Sequence, residues 1–147
     1  MSSALSRGST RRYVLDANAL IGFFEDRSGT AGKIERLVSE AVRQDLPLLM
    51  SAVNWGEVFY TACRRHGEAI ACEVASRLQE MPVAVIPADI DRATRAAALK
   101  QKHNLGYADA FAAELAIERG ASLVTADPEF SRVGKTLSLY PLPRHEK

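Results

Sequence analysis

Four acidic residues stand where a small α/β protein could put them to work. Asp16 ends the run Tyr13-Val14-Leu15, Asp127 follows Leu123-Val124-Thr125-Ala126, Asp109 follows Gly106-Tyr107-Ala108, and Glu57 comes shortly after Leu48-Leu49-Met50, in Trp55-Gly56-Glu57. If the apolar runs are parallel strands, their carboxyl ends open onto one crevice, where open α/β sheets place their chemistry. Uncompensated carboxylates at close range repel and raise one another's pKa. A hard divalent cation, Mg²⁺ or Mn²⁺, removes the conflict. It takes oxygen ligands, keeps waters, activates one of them and stabilises charge on phosphate oxygens. The set reads as a site for metal-dependent phosphodiester hydrolysis. Singly, each residue has a structural explanation: Asp16 and Asp127 as helix caps, Asp109 as the complement of a helix N-terminus, Glu57 as a solvated helix residue. Their joint placement on one rim favours chemistry.

The elements that must position them follow from periodicity. Tyr13 to Leu15 is a short strand, with a turn of helix through Ala19 to Phe24 and a polar break at Glu25-Asp26-Arg27-Ser28-Gly29-Thr30. Ile34, Leu37, Val38, Ala41 and Val42 recur at three and four, the mark of an amphipathic helix that Pro47 stops. Leu48-Leu49-Met50 is a buried strand, and Ser51 or Asn54 caps the next helix, in which Glu57 leaves the apolar stripe of Trp55, Val58, Phe59 and Ala62. Gly67 interrupts, and a second helical stretch with Ile70, Val74 and Leu78 on one side ends at Pro82. Val83 to Ile86 is a strand, and a helix runs from Asp89 towards His103. After Asn104-Leu105-Gly106 a helix from Ala108 to Arg119 closes at Gly120 and places Asp109 in its first turn. Ser122 to Thr125 is the fourth strand, 127–130 a helical turn, and Thr136 to Leu139 an edge strand. Strands alternating with helices give an α/β domain with a mainly parallel sheet and right-handed crossovers.

Composition adds limits. A chain of 147 residues, 47% hydrophobic, has the material for one core and one domain. Its formal net charge of +1 neither demands nor excludes nucleic acid, so any phosphate-binding surface must be local. Fourteen of the nineteen basic residues are Arg, suited to bidentate phosphate or carboxylate contacts. Cys63 and Cys72 lack the partners of a zinc site and read as reduced thiols. No apolar stretch approaches the roughly 20 residues of a membrane span, so a soluble cytoplasmic protein is expected. Residues 1–11, Ser- and Arg-rich, are expected to be a flexible extension, and 144–147 a short tail.

Four stretches together resemble the PIN-domain ribonucleases, and more closely the toxin component of VapBC toxin–antitoxin pairs. They are Val14-Leu15-Asp16-Ala17-Asn18, Ser51-Ala52-Val53-Asn54-Trp55-Gly56-Glu57-Val58, Tyr107-Ala108-Asp109-Ala110-Phe111-Ala112-Ala113 and Val124-Thr125-Ala126-Asp127-Pro128-Glu129-Phe130. The resemblance runs over residues 13–142, and the order and separation of the four make it specific. It implies a PIN-like three-layer α/β/α sandwich over 12–143, with a mainly parallel central sheet of four to five strands. It implies that Asp16, Glu57, Asp109 and Asp127 are the metal-binding and catalytic set, with Asn18, Ser51 and Thr125 as polar support. The implied reaction is in-line attack of a metal-activated water on an RNA phosphodiester, in tRNA or another structured RNA, with Mg²⁺ or Mn²⁺ as cofactor. The implied partners are a VapB-type antitoxin and a second copy of the chain, with no membrane.

Other groups compete with these. Arg64-Arg65-His66, and Arg92, Arg95, Lys100, Lys102 and His103, are candidates to flank the crevice and grip phosphates, although a solvated helix face explains the second group equally well. His66, His103 and His145 are scattered and receive no catalytic role. Trp55, Phe59, Phe23, Phe24, Ile34 and Val38 are core by default, while the resemblance also offers them as an apolar groove for an antitoxin segment. Two further readings stay open: a housekeeping RNA-processing or inactive RNA-binding relative, and a phosphoacceptor receiver or aspartyl-phosphate phosphatase. The last pair lacks support, because Thr125-Ala126-Asp127 stands where a receiver has Lys, and Asn18 where the phosphatase has a second Asp.

Overall fold

Each short apolar run is a strand, and all the strands run the same way. The computed structural model describes residues 11–144. The expected extension and tail, Arg11 and Arg144 apart, lie outside the described residues, as does His145. In chain order the elements are β1 (Tyr13–Leu15), α1 (Ala17–Phe24), α2 (Ala31–Gln44), β2 (Leu48–Ser51), α3 (Ala52–His66), α4 (Glu68–Glu80), β3 (Val83–Ile86), α5 (Ile90–His103), α6 (Tyr107–Arg119), β4 (Ser122–Thr125), a 3-10 segment (Pro128–Thr136) and β5 (Ser138–Pro141). The sheet order is β3-β2-β1-β4-β5, and every pairing is parallel.

Side chains alternate across the sheet with the period of two that strands impose. Val14, Leu49 and Leu123 pack to one side with α5, α6 and Phe130 of the 3-10 segment. Leu15, Leu48, Met50 and Val124 pack to the other side with α1 to α4. The result is the expected three-layer sandwich. Helix α6 is buried continuously from Ala110 to Ala116, which is why it shows so little amphipathic pattern in the sequence. Among the described residues no helix is long and apolar enough to cross a membrane.

Three expectations are adjusted. The last strand begins at Ser138 rather than Thr136, because the helical turn after Asp127 continues as the 3-10 segment to Thr136 and bends at Gly134, whose φ of 85° lies in the left-handed region. Ser51, not Asn54, caps α3, accepting from Val53 N at 3.2 Å. Of the residues offered for an apolar groove, Ile34 is fully buried in the core. Cys63 and Cys72 are free.

Candidate active site

Strand order reverses at β1, whose neighbours lead to β2 and β3 on one side and to β4 and β5 on the other. The segments that leave the carboxyl ends of β1 and β4 therefore diverge to opposite faces of the sheet and open a crevice, the usual ligand position in such sheets. Asp16 follows β1 and caps α1, accepting from Ala19 N at 2.7 Å through Oδ1. Its Oδ2 accepts from Thr125 Oγ1, the last residue of β4, at 2.5 Å. The same hydroxyl oxygen accepts from Asp127 N at 3.0 Å, and Asp127 in turn caps the 3-10 segment through Glu129 N at 2.9 Å. Thr125 thus joins the two strand-end aspartates.

Helices bring the other two carboxylates. Glu57 lies on the second turn of α3, off the apolar stripe, and Asp109 in the first turn of α6. Fully buried Asn54 fixes the two helices against each other by donating from Nδ2 to Ala108 O at 3.1 Å, while its Oδ1 is buried with no partner. A Cβ at Gly106 would meet Asp109 Oδ2 at 3.1 Å, so a side chain there would press on that carboxylate and shift it by a few tenths of an ångström. Asp16, Glu57, Asp109 and Asp127 all line one hollow of about 330 Å³.

The four are not equivalent electrostatically. Asp16 is 3% exposed. Burial raises its pKa to about 7, helped by the charges of Asp109 and Asp127 and opposed by the hydrogen bonds from Thr125 and Ala19. Asp109 is raised to about 6 by burial and by the charges of Asp127, Glu57 and Glu129. Among the described residues no three Asp, Glu, His or Cys side chains stand closely enough together to grip an ion directly. The donor set nevertheless fits a hard divalent cation: the hollow holds four carboxylates whose charges oppose one another, and neither thiol nor imidazole lines it.

A cationic wall faces them. Asn18, Arg27, Arg64 and Arg65 line the same hollow. The side chain of Arg27 is only 13% exposed; its Nη1 donates to Asn18 Oδ1 at 2.9 Å and its Nη2 to Glu25 Oε1 at 3.0 Å. Glu25 also receives Arg65 Nη1 at 2.9 and 3.0 Å and lies 3.3 Å from His66 Nε2. Burial would raise the Glu25 pKa, but the hydrogen bonds of Arg65 and His66 and the charges of Arg65 and Arg27 outweigh it and hold the carboxyl below its ordinary value. Gly22 lets this loop close, since a Cβ there would meet Thr30 Cγ2 at 3.0 Å and Arg27 Cδ at 3.3 Å.

Arg27 and Asn54 are the supports that pattern reading missed. Arg27 sits in a polar break with no periodicity to mark it, and Asn54 looked like a capping residue. Of the supporting residues expected, Asn18 and Thr125 contact the site, whereas Ser51 serves α3 as its cap. Arg64 and Arg65 flank the crevice as expected. Arg92 and Arg95 do not: Arg92 Nη1 lies 3.3 Å and Arg95 Nε 2.8 Å from buried Glu114, and Arg92 Nη2 lies 3.0 Å from Glu118, tying α5 to α6.

A protein-family model described as PIN domain matches residues 13–136. No curated protein matches the sequence. The fold is similar to that of VapBC2 from Rickettsia felis bound to a DNA fragment from its promoter, with a TM-score of 0.69, 17% identity, and coverage of 88% of this chain and 98% of that one. DNA-bound VapBC from Salmonella typhimurium is similar at a TM-score of 0.67 and 19% identity, covering 90% of this chain and 98% of that one. VapBC-1 from nontypeable Haemophilus influenzae is similar at 0.64 and 22%, covering 88% and 96%. At these identities the likeness is one of fold.

Proposed function

Because the chain belongs to the PIN-domain family, we propose that it is a metal-dependent endoribonuclease serving as the toxin of a toxin–antitoxin pair. The observation that carries the reading is the buried Asp16 carboxyl, held by Thr125 among the charges of Asp109 and Asp127 and raised to a pKa of about 7. A divalent cation would favour the ionised form of this carboxyl, to which no cationic side chain among the described residues is bonded, and would relieve the repulsion from Asp109 and Asp127.

Asp16 and Asp109 are the residues proposed to hold Mg²⁺ or Mn²⁺, with Glu57 and Asp127 acting through water. When bound, the ion supplies a water of lowered pKa and neutralises charge developing on the phosphate. The protein's own part is orientation. Thr125 and the Ala19 amide fix both oxygens of Asp16, Asn54 fixes Asp109 through the first turn of α6, and Arg27, Arg64 and Arg65 draw a phosphodiester against the acidic wall. None of these roles needs a protein nucleophile.

The proposed protein partner is a VapB-type antitoxin. Solved structures similar to this one include complexes named for such pairs. In this chain an apolar hollow of about 440 Å³ between α1, α3 and α4, lined by Ile21, Phe24, Val58, Ala62, Ile70 and Val74, shares Ile21 and Thr61 with the acidic hollow, so a segment seated there would reach the carboxylates. A homodimer is proposed on family likeness.

The test is cleavage of total RNA and of a tRNA pool with Mg²⁺, Mn²⁺ or EDTA, comparing the native chain with Asp16→Asn and Asp109→Asn. Metal-dependent cuts lost in both variants are expected. Intact RNA with retained RNA binding would move the chain to the alternative, an inactive RNA-binding member of the family.

A further inference from the structure

Tyr60 is a large aromatic residue left 61% exposed on α3, beside the acidic hollow. Residues three and four apart are neighbours on a helix. Tyr60 therefore lies next to Glu57 and Arg64, both of which line that hollow. The Arg64 guanidinium carbon is 5.5 Å from the Tyr60 ring centroid, within the range of a cation–π contact. Arg65 is engaged by Glu25, so Arg64 and its ring partner form the outer edge of the cationic wall.

Position around α3 decides what this edge faces. At 3.6 residues per turn, Val58 and Ala62, which line the apolar hollow, fall on the opposite side of the helix from Tyr60. A peptide segment seated in that hollow does not cover the ring. A strand whose phosphate enters the acidic hollow, by contrast, runs past Arg64. The electrostatics favour that occupant, because the arginines offset the repulsion a phosphate meets from the carboxylates, and every base has a π-face that stacks on an exposed aromatic.

We propose that Tyr60, with Arg64 beside it, is a stacking platform for the unpaired base flanking the phosphate held in the acidic hollow, so that the RNA is single-stranded at the cut. The proposal rests on the nuclease reading and deepens it. Tyr60 is a positioning residue: its ring holds a base, fixes the register of the strand, and takes no part in bond breaking.

The test separates the two readings by measuring binding apart from cleavage. In an Asp16→Asn background, a mixed-sequence single-stranded RNA carrying a fluorescent adenine analogue at successive positions is titrated with protein bearing Tyr60, Tyr60→Phe or Tyr60→Ala. The same RNA, cut by the native chain, maps the scissile bond. Quenching confined to a base next to that bond, kept in Tyr60→Phe, lost in Tyr60→Ala and absent from a duplex of the same sequence, is expected, with affinity falling about tenfold in Tyr60→Ala. Unchanged affinity and quenching in Tyr60→Ala would overturn it, as would equal quenching on the duplex or quenching remote from the cut. If the native chain cuts nothing while Tyr60-dependent quenching persists, the platform stands and the nuclease reading fails. If no variant binds RNA, both fail.

Discussion

Thr125 Oγ1 donates to Asp16 Oδ2 across the junction of β4 and β1, joining residues 109 positions apart, and accepts from Asp127 N at 3.0 Å. One hydroxyl thus sets the orientation of one strand-end aspartate and the backbone of the other. Thr125→Val keeps the branched shape but strips both bonds, leaving a buried carboxylate oxygen and an amide less well satisfied. A stability loss of about 1–3 kcal/mol is expected by chemical denaturation, with RNA cleavage down by at least about tenfold. Thr125→Ser should retain most of both. Equal losses in Val and Ser variants would show that the methyl group, not the hydroxyl, matters.

The raised aspartates make stability depend on pH in an unusual direction. Asp16 has a folded pKa of about 7 against an ordinary 3.8, so between those values the folded chain binds more protons than the unfolded one. Stability of the metal-free protein therefore falls as pH rises from about 4 to about 7, and the gap of about three pH units corresponds to on the order of 4 kcal/mol. Asp109, raised to about 6, acts in the same sense. Melting temperature in EDTA should decline across that window, and Mg²⁺ should restore it above pH 7. Glu25 and Glu118, held below their ordinary values, act in the opposite sense, so the decline is read as the difference between the native chain and Asp16→Asn; identical profiles for the two would contradict the burial of an ionising Asp16.

Cleavage should follow the opposite course. Cation binding requires ionised carboxylates, so the rate at limiting Mg²⁺ rises with pH through about 6 to 7, and raising Mg²⁺ moves the rise to lower pH because ion and proton compete. Initial rates over a grid of pH and Mg²⁺ test this, and a midpoint indifferent to Mg²⁺ would assign the titration elsewhere.

Asp16→Asn separates stability from function. Asparagine keeps the shape and can still accept from the Ala19 amide while removing the charge that burial penalises. At pH 8 in EDTA the variant should be more stable than the native chain by about 1–3 kcal/mol, with cleavage lost. Calorimetry in EDTA decides the first part; a destabilised variant would mean that the carboxylate makes a favourable interaction of its own.

Glu114 anchors a network that the sequence made look like part of the crevice. It is 3% exposed, with Arg95 Nε at 2.8 Å and Arg92 Nη1 at 3.3 Å. Glu114→Ala leaves Arg92 facing a vacated site and should cost about 3–5 kcal/mol, while the double change with Arg92→Met recovers part of that loss. Cleavage per folded molecule should not change, since neither arginine lines the acidic hollow.

The site was legible in sequence to the extent that chain geometry is local. Asp16 and Asp127 follow apolar runs directly, and a parallel sheet converts that adjacency into position; Asp109 is placed by Gly106 and its helix start. Glu57 emerged from the stripe of α3 because Val58 and Ala62 define the buried face. What could not be read was partnership between side chains remote in sequence or set in an irregular loop. Nothing in the pattern distinguishes Arg27, folded back to Asn18, from Arg92, committed to Glu114 and Glu118. Asn54 has a capping residue's chemistry, and only the approach of α6 to α3 gives it Ala108 to hold. The extent of the 3-10 segment likewise depended on backbone geometry at Gly134 rather than on hydrophobic period.

Arg27 both braces its loop and faces the acidic hollow. Its guanidinium spans Asn18 and Glu25 with two different nitrogens, so its planar fork holds the α1 side of the hollow in place while presenting positive charge to it. Arg27→Met removes both bonds and the charge; a loss of about 1–3 kcal/mol in stability is expected, because Glu25 still has Arg65 and His66 whereas Asn18 loses this donor. RNA affinity should weaken and its salt dependence become shallower, since a phosphate-facing cation has gone. Arg27→Lys keeps the charge but not the fork, so it should restore the salt slope more fully than the stability. Salt titrations of RNA binding beside denaturation curves for both variants separate the two contributions, and an unchanged slope in Arg27→Met would confine Arg27 to holding the loop.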